Sequence, residues 1–207
     1  MELKLHQWDV DFACWCTYKY LNAGPGAVGA AFIHEKYHHD TGQPRLAGWW
    51  GYDKSTRFKM EKGFVPITTA EGWALSTPSM FQCATLRASL EIFEKAGIDH
   101  LIRKGRLLNG YFTFLLNEIN RKTGDDAFVI LTPSNVEEKG NQVSLYFLNN
   151  GKKIFEALEE AGIMADWREP GVIRMSPAPL YNTFEEVWLC AHVLHTILQR
   201  QTAKTIQ

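Results

Sequence analysis

From Phe12 to Ile33 the chain runs through 22 residues carrying a single charge, Lys19. Val10–Cys16 and Ala27–Ile33 are short, apolar and rich in β-branched and aromatic residues, which selects strand over helix. Gly24-Pro25-Gly26 breaks any helix between them. The pattern predicts two buried strands with Lys19 on their connection, the kind of loop on which α/β proteins place chemistry. An amine is nucleophilic only when neutral, and burial disfavours the ammonium. Trp15, Tyr18 and Tyr20 crowd Lys19, so the expected setting is apolar, aromatic and able to hold a cofactor. The competing reading is plainer: a lysine that carries its amine to water past a buried stem.

The rest of the chain changes character twice. Residues 34–63 are polar and glycine-containing, with the aromatic cluster Trp49-Trp50-Gly51-Tyr52. From Met80 the apolar spacing is helical as far as Ala96, with Gly97 as a stop, and a second helix fits His100–Lys122, ending at Gly124. Phe128–Leu131, Gln142–Leu148 and Val172–Met175 read as strands. Lys152–Ala161 and Phe184–Gln199 read as helices, and the polar tail 201–207 is expected to fray. Residues 1–82 therefore read as part of a buried sheet with long loops, and 83–207 as a compact α/β unit.

A net charge of −1 favours neither a nucleic-acid nor a membrane surface, and no apolar run approaches the roughly 20 residues of a membrane helix. The N-terminal residues lack the layout of a secretory signal. Cys14, Cys16, Cys83 and Cys190 include no C-x-x-C pair, so a zinc site is not expected, and free thiols in a reducing cytosol are. Aromatic residues make up 13% of the chain, a density that suits a core, an interface or a pocket for a flat ligand.

Three motifs carry competing readings. Gly24, Gly26 and Gly29 spell a dinucleotide fingerprint, but Pro25 sits in the turn and strand-like residues follow, so close-packed turn geometry beside Lys19 is expected instead. His34, His38, His39 and Asp40 have metal-like spacing, yet Gly42 and Pro44 argue for a solvated loop face. Arg174 lies inside an apolar strand and needs a partner, either an internal carboxylate or the carboxylate of a ligand. Thr68–Glu71 and Thr183–Glu186 read as capping boxes.

Four stretches in order carry a resemblance: LHQWDVDFACWCTYKYLNAGPGAVGAAFIHEKY, LAGWWGYDKSTRFKM, WALSTPSMFQCATLRASLEIFEKAG and PGVIRMSPAPLYNTFEEVW. Together they resemble kynureninase, a pyridoxal-phosphate-dependent hydrolase of the aspartate-aminotransferase fold type, over its C-terminal half. The resemblance implies an α/β fold made of the C-terminal portion of the cofactor-binding large domain (1–82) and a small C-terminal domain (83–207). It implies that Lys19 holds pyridoxal 5'-phosphate covalently and later shuttles protons. Tyr18 would bond the cofactor phosphate, and Trp49 would reach that phosphate from a partner subunit. Thr77, as a cofactor contact, and Ser76, as a substrate contact, would reach a neighbouring active site, and Arg174 would clamp the substrate carboxylate. Thr77 stands where the family often has Asn, and Tyr52 where it often has His. Both lie toward the substrate's aryl ring, so the ring preference is open.

The implied reaction is hydrolytic cleavage of the Cβ–Cγ bond of L-kynurenine or 3-hydroxykynurenine in tryptophan catabolism and NAD biosynthesis. The implied setting is a cytoplasmic homodimer, or a complex with a separate N-terminal half. The family's phosphate loop, stacking aromatic and D-x-x-H segment have no counterpart before Lys19. The expectation is therefore weak cofactor binding by this chain alone, whether it is a shortened chain, half of a split gene or a decayed enzyme. The rivals are a non-catalytic interaction module and another enzyme of the same fold. A cysteine desulfurase would need a mobile reactive thiol, whereas Cys83 and Cys190 fall on helices with apolar neighbours.

Overall fold

The computed structural model describes residues 2–40, 42–124 and 127–205. They form two compact units, Leu3–Lys95 and Ala96 onward, the latter joined by Glu2.

In the first unit, β1 (Phe12–Cys16) and β2 (Gly29–Ile33) pair antiparallel, with Trp15 opposite Ala30 and Cys16 opposite Gly29. Both strands begin two residues later than the sequence pattern suggests. They are also not buried, because among the described residues the ribbon has only two strands and no third covers its faces. Phe12 finds local cover from the rings of Tyr37 and Trp73, at 5.1 and 5.2 Å between centroids. Residues 34–40 and 42–79 are irregular apart from short 3₁₀ turns, and α1 (Met80–Ala96) follows.

Charge fastens the base of the ribbon. Lys36 Nζ lies 2.9 Å from Asp9 and 2.7 Å from Asp11, and the Tyr37 hydroxyl donates to Asp11 at 2.7 Å. The hydrogen bonds from Lys36 hold both carboxyls below their ordinary value of 3.8, and the same bonds raise the Lys36 ammonium above 10.5. Depressed carboxylates contribute stability that is present above their unfolded value and lost as the pH falls through the folded one. The raised lysine contributes below its unfolded value and loses that contribution only as the pH rises through the folded one. The clamp therefore acts from about pH 4 to about pH 10. Lys36→Met should flatten the acid limb of a denaturation-midpoint-against-pH curve. An unchanged acid limb would mean the clamp contributes nothing.

The second unit is a four-stranded antiparallel sheet in the order β3 (Val129–Ile130), β4 (Val143–Tyr146), β6 (Val172–Met175), β5 (Asp166–Arg168). It is packed with α2 (Ile98–Thr123), α3 (Gly151–Glu160) and α4 (Phe184–Thr205). Helical spacing on α2 buries Leu108, Phe112 and Leu116. They meet Leu194 of α4, Ile154 and Leu158 of α3, and the inward residues Val143, Leu145, Ile173 and Met175 of the sheet. Each fully buried Leu or Phe here contributes about 1.5–3 kcal/mol over an exposed one. Alternation sends Ser144 and Arg174 to the opposite face of the sheet.

Several boundaries depart from the sequence reading. β5 has no counterpart in it, being three residues long with two charges among them. The helix in α4 continues through Thr205 instead of fraying from 201, and Ile206 and Gln207 lie outside the described residues. Thr183 and Glu186 form the reciprocal capping box, with Thr183 N donating to Glu186 at 2.7 Å and Glu186 N to Thr183 Oγ1 at 3.1 Å. Near residue 70 the cap is Thr69, which accepts from Glu71 N at 3.3 Å, and not Thr68. No helix of the described residues is long and apolar enough to cross a membrane.

Candidate active site

The connection that carries Lys19 is fixed through its backbone. Thr17 is fully buried and donates its hydroxyl to the Val28 carbonyl at 2.5 Å, and Ala23 N donates back to the Thr17 carbonyl at 3.1 Å. Asn22 N donates to the Lys19 carbonyl at 3.0 Å, and Ser89 of α1 donates its hydroxyl to Leu21. Gly24 and Gly26 take positive φ values, +86° and +80°, and β2 follows instead of a helix. The glycines serve the turn, not a dinucleotide. Tyr20 rests on Phe93 of α1 at 6.0 Å, and its partial burial raises the phenol above its ordinary value.

The Lys19 side chain itself is exposed, and so are Trp15, Tyr18 and Tyr20. The expectation of a buried amine is corrected, for the reason that leaves the ribbon uncovered: two strands give one layer and no roof. The amine lies 5.4 Å from the centroid of the Tyr18 ring. Access, not burial, is what this chain gives the amine.

A second cluster gathers on the aromatic loop. Gly51 N donates to the Ala74 carbonyl at 2.9 Å, Trp50 N approaches the Leu75 carbonyl at 3.5 Å, and Ile67 N donates to the Gly51 carbonyl at 2.9 Å. This close backbone ladder excludes side chains. A Cβ on Gly48 would sit 2.3 Å from Leu75 Cα, and one on Gly72 would sit 2.2 Å from the Ile67 carbonyl oxygen. The ladder sets Trp49 and Tyr52 beside residues 72–75, from which Ser76 and Thr77 continue, both exposed. Trp49 is exposed and meets Phe58 edge-on at 5.2 Å. The Arg57 guanidinium lies 5.4 Å from the Trp49 ring and 5.9 Å from the Trp50 ring, and donates to the Tyr52 carbonyl at 3.0 Å. Tyr52 is half-buried, with its ring 5.6 Å from Phe64.

Arg174 belongs to the other unit. It stands opposite Ser144 on one side and Asp166 on the other, on the central strand β6. Its Nε donates to Asp166 Oδ2 at 2.5 Å, and Nη2 pairs with the same oxygen. Its partner in this structure is therefore an internal carboxylate. The side chain remains one-third exposed.

The remaining sequence candidates resolve simply. His34 is buried rather than solvated, because it caps a turn: Nδ1 accepts from Lys36 N at 3.2 Å while the ring stacks on His6 at 4.7 Å. Cys190 is mostly buried, with Sγ 3.7 Å from Met175 Sδ, and burial pushes its thiol up to about 11, which makes it a poor nucleophile at neutral pH. The residues that sequence reasoning passed over are Thr17, Arg57 and Asp166. Only Asp166 had a usable signal: it begins an alternation that resumes after Pro170-Gly171, a hairpin pattern ending on Arg174.

Residues 101–194 match the family model for the kynureninase C-terminal domain. Over 194 residues the chain is 45% identical to a kynureninase of Flavobacterium psychrophilum, covering 94% of this chain and 45% of that one. It is 48% identical over 189 residues to a kynureninase of Myxococcus xanthus, covering 91% and 43%. A kynureninase of Nematostella vectensis is 45% identical over 194 residues, covering 90% and 42%. The chain thus spans less than half the length of these relatives. Among solved structures, a cysteine desulfurase from Thermococcus onnurineus NA1 superposes with a TM-score of 0.71 at 20% identity, over 96% of this chain and 50% of that one. A C-DES mutant with glycine covalently linked to its PLP cofactor gives 0.69 at 20%, over 93% and 48%. An acetylornithine aminotransferase from Elizabethkingia anophelis gives 0.58 at 16%, over 96% and 41%. These likenesses establish the fold, that of the aspartate-aminotransferase type. By sequence the chain is similar to the C-terminal part of kynureninases, and residues 101–194 carry their C-terminal domain.

Proposed function

We propose that this chain supplies the lysine, phosphate-contacting and carboxylate-binding parts of a pyridoxal-phosphate-dependent hydrolase. The reaction is cleavage of the Cβ–Cγ bond of L-kynurenine or 3-hydroxykynurenine by water, releasing anthranilate or 3-hydroxyanthranilate and L-alanine. What carries this reading is an accessible primary amine on a backbone-locked turn, beside a phenol, in a chain similar to kynureninases. An aldehyde needs a reachable amine and a phosphate needs hydrogen-bond donors, so Lys19, Tyr18 and Trp49 fit the cofactor by donor chemistry.

Pyridoxal phosphate, when bound, supplies an electron sink for charge developing at the substrate Cα. The chain's own residues do the rest. Lys19 Nζ would hold the cofactor at its aldehyde carbon and, as a free amine, would move protons. The Tyr18 hydroxyl and the Trp49 indole N–H would donate to the cofactor's phosphate. Arg174 donates to the substrate carboxylate and so fixes the orientation of the Cα bonds. Thr77, which also contacts the cofactor in this reading, and Tyr52 would lie toward the aryl ring, with Ser76 as a further substrate contact. We place Trp49, Ser76 and Thr77 in a neighbouring subunit's site within a homodimer, an arrangement that the shared platform of these residues favours.

The test is chemical trapping. The chain is mixed with pyridoxal 5'-phosphate, with and without the N-terminal part of a related kynureninase, then reduced with borohydride and mapped by mass spectrometry. A pyridoxyl adduct on Lys19 is expected, in preference to the other lysines. The exposed aromatic ribbon favours one other reading, a non-catalytic interaction module. Adduct spread evenly over surface lysines in both mixtures would support that module and end the enzymatic reading.

A further inference from the structure

We infer that Asp166 is a positioning residue: it holds Arg174 by one edge so that the other edge meets a carboxylate squarely. The inference rests on the proposed role of Arg174 as the substrate-carboxylate site.

A guanidinium has two edges that suit a carboxylate, the side edge of Nε with Nη2 and the end edge of Nη1 with Nη2. Asp166 occupies the side edge through a single oxygen, Oδ2. Among the described residues, Nη1 has no hydrogen bond or ion pair. The end edge is thus open while the group's plane is fixed.

The sheet brings these groups side by side. Asp166, Arg174 and Ser144 are register partners on β5, β6 and β4, which places them in one row on the face opposite the helices. Arg174 stands in the middle of that row. The flanking Ser144 hydroxyl accepts from Gln142 at 3.2 Å, and Ser144 N donates to Thr132 Oγ1 at 2.9 Å, so that neighbour is also tied down. Arg168, two residues along β5, brings its Nε to 3.2 Å from the same Asp166 oxygen.

Charge decides whether such a holder helps or hinders. A carboxylate beside Arg174 would repel an incoming carboxylate if it stood alone. Here two guanidiniums share one carboxylate, so the trio of Arg168, Arg174 and Asp166 keeps a net charge of +1. The side chains of Asp166 and Arg174 are 45% and 33% exposed, so water screens the residual repulsion. Orientation therefore outweighs repulsion. A long, flexible arginine would otherwise lose rotamer freedom on every binding event, and Asp166 removes that cost in advance.

The experiment uses the 207-residue chain labelled with ¹⁵N and follows the Arg174 Nε–H signal. L-Alanine is the carboxylate probe, and ethylamine, its counterpart without the carboxylate, is the control. In the unaltered chain the signal should be protected from solvent exchange. It should shift saturably with alanine and not with ethylamine. Asp166→Asn should lose the protection and weaken alanine binding by about 10-fold. Asp166→Glu, which keeps the charge and the acceptors, should recover most of both. Circular dichroism on each variant checks that the sheet is retained. If the unaltered chain does not respond to alanine, or responds equally to ethylamine, the carboxylate role of Arg174 fails. If the unaltered chain responds and Asp166→Asn binds alanine equally well, that role stands and positioning by Asp166 is overturned.

Discussion

Lys19→Ala should reduce kynurenine hydrolysis, assayed with the N-terminal part of a related kynureninase supplied, by about 10⁴-fold or more. Both proposed duties of the residue, holding the aldehyde carbon and moving protons, need the same nitrogen, and no other lysine lies between Phe12 and Ile33. The substitution should leave the fold alone. The side chain is exposed, and the bonds that fix the turn run through the Lys19 carbonyl, Thr17 and Ser89, none of which is altered. Unfolding free energies should therefore agree within about 0.5 kcal/mol. Loss of activity with loss of fold would assign Lys19 a structural role instead, and retention of about a tenth of the activity would remove it from the chemistry.

The second large effect is mechanical. Gly72→Ala introduces a methyl group whose carbon would lie 2.2 Å from the Ile67 carbonyl oxygen and 3.3 Å from its carbon. Both are backbone atoms, so no rotamer change relieves the clash and the chain itself must shift. The cost should reach about 3 kcal/mol, the upper end for overpacking. The shift should pull the 72–75 segment from the aromatic loop, so tryptophan fluorescence from Trp49, Trp50 and Trp73 should change before global unfolding. Gly110→Ala is the matched control: it has nothing within 4 Å, lies on exposed helix and should stabilise α2 by about 1 kcal/mol. Equal and mild responses from the two variants would mean that the ladder tolerates side chains.

Local chemistry was legible wherever it is self-contained. Gly97 and Gly124 mark the limits of α2, and Thr183 with Glu186 announces α4, because caps and left-handed glycines act within a few residues. The glycines after Lys19 read correctly as turn formers for the same reason. The burial of the 12–33 ribbon was not legible. Apolar composition says that strands need cover, but not whether the chain itself provides it. The partner of Arg174 was hidden for a different reason. Asp166 is eight residues away, and it becomes a neighbour only once β5 and β6 pair across the intervening turn. The grouping of Trp49 and Tyr52 with Ser76 and Thr77 depends on a ladder between segments some 25 residues apart, held by glycines whose need shows only in the assembled backbone.

The Lys19 turn joins a rigid mast to a loose jib. Its main chain is bolted at Thr17, Asn22 and Leu21, while the four-carbon arm swings in water. Under the proposed chemistry the nitrogen can leave one atom and visit another by torsions of the arm alone, on the time scale of rotamer hops, without melting the turn. Cooling or viscous solvent that slows loop opening should then leave this hand-over step almost untouched.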